Sequence, residues 1–156
     1  MRILGIDPGT HRLGWGLIEG DVNQQTLIAA GCLDLPSHTQ TSNYLQTIYQ
    51  HLTNLISQYQ PDGAGVEKIF FQKNVKTAIT VAQARGVILL ALSQHHLPIT
   101  ELSPNTIKVA VTGNGQASKQ QVIQMVNILL NLETHFQFDD TYDALATAIT
   151  ALLHQV

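Results

Sequence analysis

Asp7 closes the apolar run Ile3-Leu4-Gly5-Ile6 and is followed at once by Pro8-Gly9. The run reads as a buried strand and Pro-Gly as a tight turn, which leaves a carboxylate on a rigid strand end, facing a cleft. Gly63-Ala64-Gly65-Val66 leads into Glu67 in the same way. A Glu there is costly to bury unless it is paired or holds a cation, and Lys68 points to the opposite face of the strand. A third group of acids, Asp139, Asp140 and Asp143, opens the last helix, and no Lys or Arg lies between Gln120 and Val156 to neutralise it. Acids stabilise a helix N-terminus and Asp140 suits an N-cap, but three acids in five residues repel more than capping requires. Asp7, Glu67, Asp140 and Asp143 together supply oxygen donors without thiols, a set suited to hard cations, Mg²⁺ or Mn²⁺. Two such ions ~3.5–4 Å apart would relieve the repulsion and form a clamp for in-line phosphodiester attack.

The charge distribution points the same way. The formal net charge of −3 does not suggest a nucleic-acid binder, but six of the eight Lys and Arg fall between residues 68 and 119. They are Lys68, Lys73, Lys76, Arg85, Lys108 and Lys119, and Glu101 is the one acid among them. A basic middle in an acidic chain fits a phosphate-binding face beside a metal-binding one, and Lys73, Lys76, Arg85, Lys108 and Lys119 are the bases expected on it. Phe70 and Phe71 precede Gln72-Lys73-Asn74. Aromatics beside Lys suit base stacking with phosphate contact, and one of the two is expected to close the core instead.

These side chains need a scaffold. Residues 13–18 and 27–33 read as two further strands, joined to the first by short turns in an antiparallel meander. Thr41 to Gln60 is an amphipathic helix with Thr41 or Ser42 as cap and Pro61 as stop. Lys76 to Leu92 is a second helix, Ile99–Leu102 a fifth strand, and Ser103-Pro104 starts a short helix that Gly113 breaks. Ser118-Lys119-Gln120-Gln121 is a capping box. Lys119 then lies in a first helical turn, where it opposes the dipole and so suggests an outside anion. Leu145, Ala148, Ile149 and Leu152 form the inner face of the last helix.

The chain of 156 residues, 44% apolar, is expected to form one domain over 1–156. Its longest strongly apolar run, Val87–Leu92, falls short of the ~20 residues of a membrane span, and with Met1-Arg2-Ile3 leading straight into the first strand no signal peptide is expected. Cys32, the only cysteine, is expected to be a buried thiol in a cytoplasmic protein. Residues 78–92 are apolar nearly all round, interrupted by Thr80, Gln83 and Arg85, with small residues Ala78, Ala82 and Gly86 spaced by four. Such a helix needs covering on two sides, and a two-fold homodimer through it is expected.

The order of elements looks like the ribonuclease H-like fold, an α/β architecture with a mixed five-stranded sheet flanked by helices. Five stretches in order then resemble one family, RuvC, the bacterial Holliday junction endonucleases. They are 5–10 with Gly14-Trp15-Gly16; Glu67 to Asn74; Ala82 to Val87; Val111 to Gly115 with Ala117-Ser118-Lys119; and Asp140 to Ala146. The resemblance implies that Asp7, Glu67, Asp140 and Asp143 are the metal-binding catalytic acids, with two Mg²⁺ per site. It also implies that Phe70 or Phe71 probes bases at the crossover, and that Lys108 and Lys119 hold phosphates. The implied substrate is a four-way DNA junction, cut symmetrically by a homodimer, and the implied partner is the RuvA–RuvB branch-migration complex. Two positions depart from the pattern: Tyr44 stands where the family has an Arg early in the first long helix, and Gln116 where many relatives carry Arg in the glycine loop. Asp139 and Asp143 also share a helical face, so a second register stays open, and the match to the motif favours Asp140. Rival readings are a YqgF-type nuclease, which shares the first motif, and a non-catalytic junction-binding module, which would be expected to lose some of the acids. An actin-like ATPase shares a similar first turn but needs a second domain.

Overall fold

A computed structural model describes residues 1–36, 39–69, 75–133 and 135–154, with side chains in the third segment described from Thr77 onward. Its five-stranded sheet has the order β3-β2-β1-β4-β5. β1 (Arg2–Pro8), β2 (Arg12–Gly20) and β3 (Gln25–Asp34) form the expected antiparallel meander. β4 (Gly63–Glu67) adds to β1 and β5 (Ile99–Leu102) to β4, both in parallel and each reached through a helix. A parallel pair requires such a crossover, and the centre of the sheet is then covered on both faces.

The face beneath α1 (Thr41–Tyr59) and α2 (Val75–Gln94) encloses Leu4, Ile6, Ala64 and Val66 with Ile48, Leu52, Ala84 and Ile88. The opposite face packs against α5 (Asp139–Leu153), with α3 (Pro104–Thr112) and α4 (Lys119–Leu129) outside it. Each fully buried Ile or Leu in these two cores contributes about 1.5–3 kcal/mol.

The position of α5 follows from glycines. A Cβ at Gly5 or Gly14 would collide with the backbone carbonyls of Ala144 and Asp140, and one at Gly16 with the Leu145 side chain. These strands therefore present bare backbone, and α5 lies closer to the sheet than any side chain would allow. Enclosure goes beyond the expected inner face, because every residue from Thr141 to Leu152 except Asp143 is buried.

Several boundaries differ from expectation. β1 continues through Pro8, and the hairpin turns at Thr10-His11, where the Gly9 N–H donates to the Arg12 carbonyl at 2.9 Å. α1 begins at Thr41 behind Gln40, without a side-chain cap, so Thr41 and Ser42 lie inside the first turn. α5 begins at Asp139 behind Phe138, which places Asp140 second in the helix and leaves its carboxylate free of capping. The Ser103 cap, the Ser118–Gln121 capping box and the left-handed Gly113 (φ 73°) stand as read. Cys32 is half-buried rather than buried, and burial pushes its thiol up to about 11. By length and composition alone, α2 over Thr77–Gln94 would reach across a bilayer, although its longest strongly apolar run, Val87–Leu92, is short. Here Ala84, Ile88, Ala91 and Leu92 of that helix pack into the core.

Candidate active site

Strand register brings the first two acids together. Ile6 pairs with Val66 in the parallel ladder, so Asp7 and Glu67 are adjacent where the two strands end. Side chains alternate along a strand, so Asp7 shares a face with Gly5 and Glu67 with Gly65, the face on which α5 lies. Asp7 also pairs with Gly14, and Gly14 lies directly beneath the Asp140 backbone. The glycines that admit α5 therefore also place its first turn over the carboxylates of the strands. Asp140 and Asp143, three residues apart, share a helical face.

The electrostatics record this convergence. Burial first, then the charges of Glu67, Asp143 and Asp140, raise the Asp7 carboxyl well above the ordinary range. Burial and Asp143 push Glu67 up to about 7, partly offset by its hydrogen bond with Asp7. Asp143 is also raised, chiefly by burial. Asp139 is not among the charges acting on Asp7, and its side chain is 59% exposed, against 27% for Asp140 and 29% for Asp143. This geometry favours the register that includes Asp140.

Cations flank the acids on two sides. Lys119 Nζ lies 3.0 Å from Asp143 Oδ2 and 3.6 Å from Asp139 Oδ2. With Lys108, Pro104, Ile107 and Val122 it lines a cleft of about 250 Å³ that Glu67 and Asp143 share. Across the site Arg12 stacks on the Phe138 ring at 4.3 Å, pairs with Asp34 at 3.3 Å and reaches Asp140 at 3.9 Å. The sequence reading missed Arg12. Its signal was the hairpin, which returns the chain from Asp7 to Arg12 within five residues.

Arg85 is not brought to this cleft, since it pairs with Glu101 of β5. Phe70, Phe71 and Lys73 lie outside the described residues, as does the Lys76 side chain. Among the described residues no three acids, histidines or cysteines converge closely enough to enclose an ion as they stand. The donor set nonetheless fits a hard divalent cation. Charges within the set help to raise the carboxyls of Asp7, Glu67 and Asp143, and a lysine ammonium already lies against Asp143.

A mixed five-stranded sheet with an antiparallel meander, parallel additions and carboxylates at the ends of its central strands defines a ribonuclease H-like fold. The solved structure of Thermus thermophilus RuvC has the same architecture. Its TM-score is 0.89 at 28% identity, over 99% of this chain and 96% of that one. A second structure, of T. thermophilus RuvC in complex with Holliday junction substrate, gives 0.92 at 27% identity over 99% and 95%. Residues 3–151 match the family described as crossover junction endodeoxyribonuclease RuvC, and the chain belongs to that family. A relative of that description from Heliobacterium modesticaldum is 50% identical over 149 residues, covering 96% of this chain and 92% of its own length.

Proposed function

We propose that this protein resolves Holliday junctions by paired, divalent-metal-dependent phosphodiester cleavage in DNA recombination and repair, with residues 1–156 acting as one nuclease domain. The observation that carries the reading is the meeting of Asp7, Glu67, Asp140 and Asp143 at one end of the sheet in a chain of this family. All four acids of the motif are present, which opposes a non-catalytic junction-binding module.

Asp7, Glu67, Asp140 and Asp143 would hold two Mg²⁺, with Mn²⁺ as a substitute. Bound there, the ions would activate water and stabilise charge on the attacking and leaving oxygens. Lys119 and Lys108 bring positive charge to the cleft wall and hold the phosphate backbone, while Arg12 braces Asp140 from the other side. Half-buried Asp7 and Glu67 take their place on the rigid ends of β1 and β4, so little reorganisation is needed at the moment of reaction. Phe70 or Phe71 is assigned to base contact at the crossover, and Lys73 and Lys76 to the DNA path beside it.

The protein acts as a homodimer through α2. Ile79 is 55% exposed and Leu90 52%, and Gly86 has open space over its Cα. These residues lie on the outer side of a helix whose inner side is already in the core. A junction is itself close to two-fold, so two such sites could cut two strands symmetrically. The RuvA–RuvB branch-migration complex is the proposed partner and the cytoplasm the proposed location.

The test is Mg²⁺-dependent cleavage of a four-way junction, a linear duplex and an RNA–DNA hybrid under the same conditions. Paired incisions confined to the junction are expected. Equal cleavage of all three would contradict the substrate assignment.

A further inference from the structure

The turn that follows Asp7 is held by a bond from outside its hairpin. Tyr44, in the first turn of α1, is buried, and its hydroxyl donates to the Gly9 carbonyl at 2.8 Å. Ladder pairing between β1 and β2 ends at Pro8–Leu13, so the chain beyond depends on individual bonds. Those bonds are Gly9 N–H to the Arg12 carbonyl (2.9 Å), Leu35 N–H to the His11 carbonyl (2.8 Å) and the Tyr44 hydroxyl. Burial holds the Tyr44 phenol up to about 12, so it stays a donor at any working pH.

Asp7 needs such a restraint. Glu67, Asp143 and Asp140 all repel its charge, and Asp7 lies two residues from Gly9, beyond the last pair of β1 with β4 at Ile6–Val66. The Tyr44 ring packs among the core residues of α1 and α2, a role that phenylalanine would fill equally well. Only the hydroxyl reaches the turn. We propose that Tyr44 is a positioning residue for cleavage. Its hydroxyl fixes the Pro8–Gly9 backbone and thereby holds the Asp7 carboxylate in place beside Glu67. The inference rests on the metal-dependent nuclease reading above.

The discriminating variant is Tyr44→Phe in the full chain, compared with wild type and Asp7→Asn. Single-turnover cleavage of a four-way junction in Mg²⁺ is measured below the thermal midpoint of every variant. Junction binding is measured in Ca²⁺ over a range of salt, and Ca²⁺ binding to the DNA-free protein by calorimetry. A displacement approaching 1 Å can cost up to roughly a hundredfold in rate, so a partial shift in Tyr44→Phe is expected to cost about tenfold. Its Ca²⁺ dissociation constant is expected to rise several-fold. Junction affinity and its salt slope should be unchanged. A wild-type rate and wild-type Ca²⁺ affinity would overturn the proposal, even if the thermal midpoint fell, because the bond would then be structural only. Weaker junction binding with normal cleavage of bound junction would also overturn it, by making Tyr44 a DNA contact. Asp7→Asn separates the two levels. If it cleaves normally, the site reading has failed; if it is inactive while Tyr44→Phe is normal, only the Tyr44 inference has.

Discussion

α5 and α2 are both built largely from alanine, threonine and branched aliphatic residues, yet the protein treats them in opposite ways. α5 is enclosed by the sheet on one side and by α3 and α4 on the other. α2 leaves Ile79, Ala82, Gly86 and Leu90 facing outward. Composition does not decide between these fates. The sheet offers α5 a bed of glycine backbone, and the hydroxyls of Thr147 and Thr150 donate to the carbonyls of Asp143 and Ala146, at 2.8 and 2.7 Å, so that burial strands no hydroxyl there. α2 meets α1 along one side, and among the described residues no further helix packs extensively over the other. In the proposed reading the buried helix carries the chemistry and the half-covered one the assembly.

That division can be broken most severely at the start of α5. Asp143→Asn, like Asp7→Asn or Glu67→Gln, is expected to lower Mg²⁺-dependent cleavage by roughly a thousandfold or more while junction binding persists. Metal-derived stabilisation of the transition state is worth several kcal/mol, and each 1.36 kcal/mol is a factor of ten. Cleavage within tenfold of wild type in any of them, with binding intact, would remove that residue from the site.

The bed beneath α5 comes next. Gly14→Val would drive a side chain into the Asp140 carbonyl and lift the helix from β2. Overpacking of this kind typically costs about 1–3 kcal/mol, seen as a lower urea midpoint, and here activity should fall further than stability because Asp140 moves with the helix. Gly86→Val on α2 is the counterpart. Its open surroundings predict no loss of monomer stability, and any effect should appear in assembly.

α2 gives a third prediction. Leu90→Glu is expected to shift sedimentation at micromolar concentration from a dimer to a ~17 kDa monomer, abolishing coordinated paired incision but leaving metal binding unchanged. A wild-type protein that already sediments as a monomer and still makes paired incisions would contradict the role given to α2.

A smaller effect is expected in stability against pH. A carboxyl with a raised pKa in the folded state holds its proton more tightly when folded, so the protein loses stability as pH rises through that value. For Glu67 the window runs from the ordinary 4.5 to about 7, and Asp7 adds to it in the same direction. The thermal midpoint of metal-free protein should therefore fall between pH 5 and pH 8, and Mg²⁺ should raise it more at pH 8. A midpoint that stays level with pH, with no gain from Mg²⁺, would mean that the acids are not crowded as described.

Much of this was legible before the structure. The glycine-punctuated strands, the helices, the capping box and the four acids follow from periodicity, turn chemistry and the expense of unpaired carboxylates. Three features were hidden for physical reasons. The full burial of α5 depends on glycines in β1, β2 and β4, and no local window of the helix contains them. Arg85 reads as one more base in a basic stretch, and its pairing with Glu101 appears only when β5 comes alongside. Tyr44 stands out in the sequence only as a departure from the family pattern, and its hydroxyl meets its partner at Gly9, 35 residues away.

The central claim, that the opening turn of α5 completes the metal site begun by β1 and β4, is tested most directly by comparing Asp139→Asn with Asp140→Asn. The two acids are neighbours with equal charge, and only Asp140 acts on Asp7. Single-turnover cleavage of a four-way junction in Mg²⁺ should stay within about threefold of wild type for Asp139→Asn, as for a surface charge outside the site. It should be lost in Asp140→Asn. The reverse order would contradict the account, since α5 would then have to turn a different face to the strands.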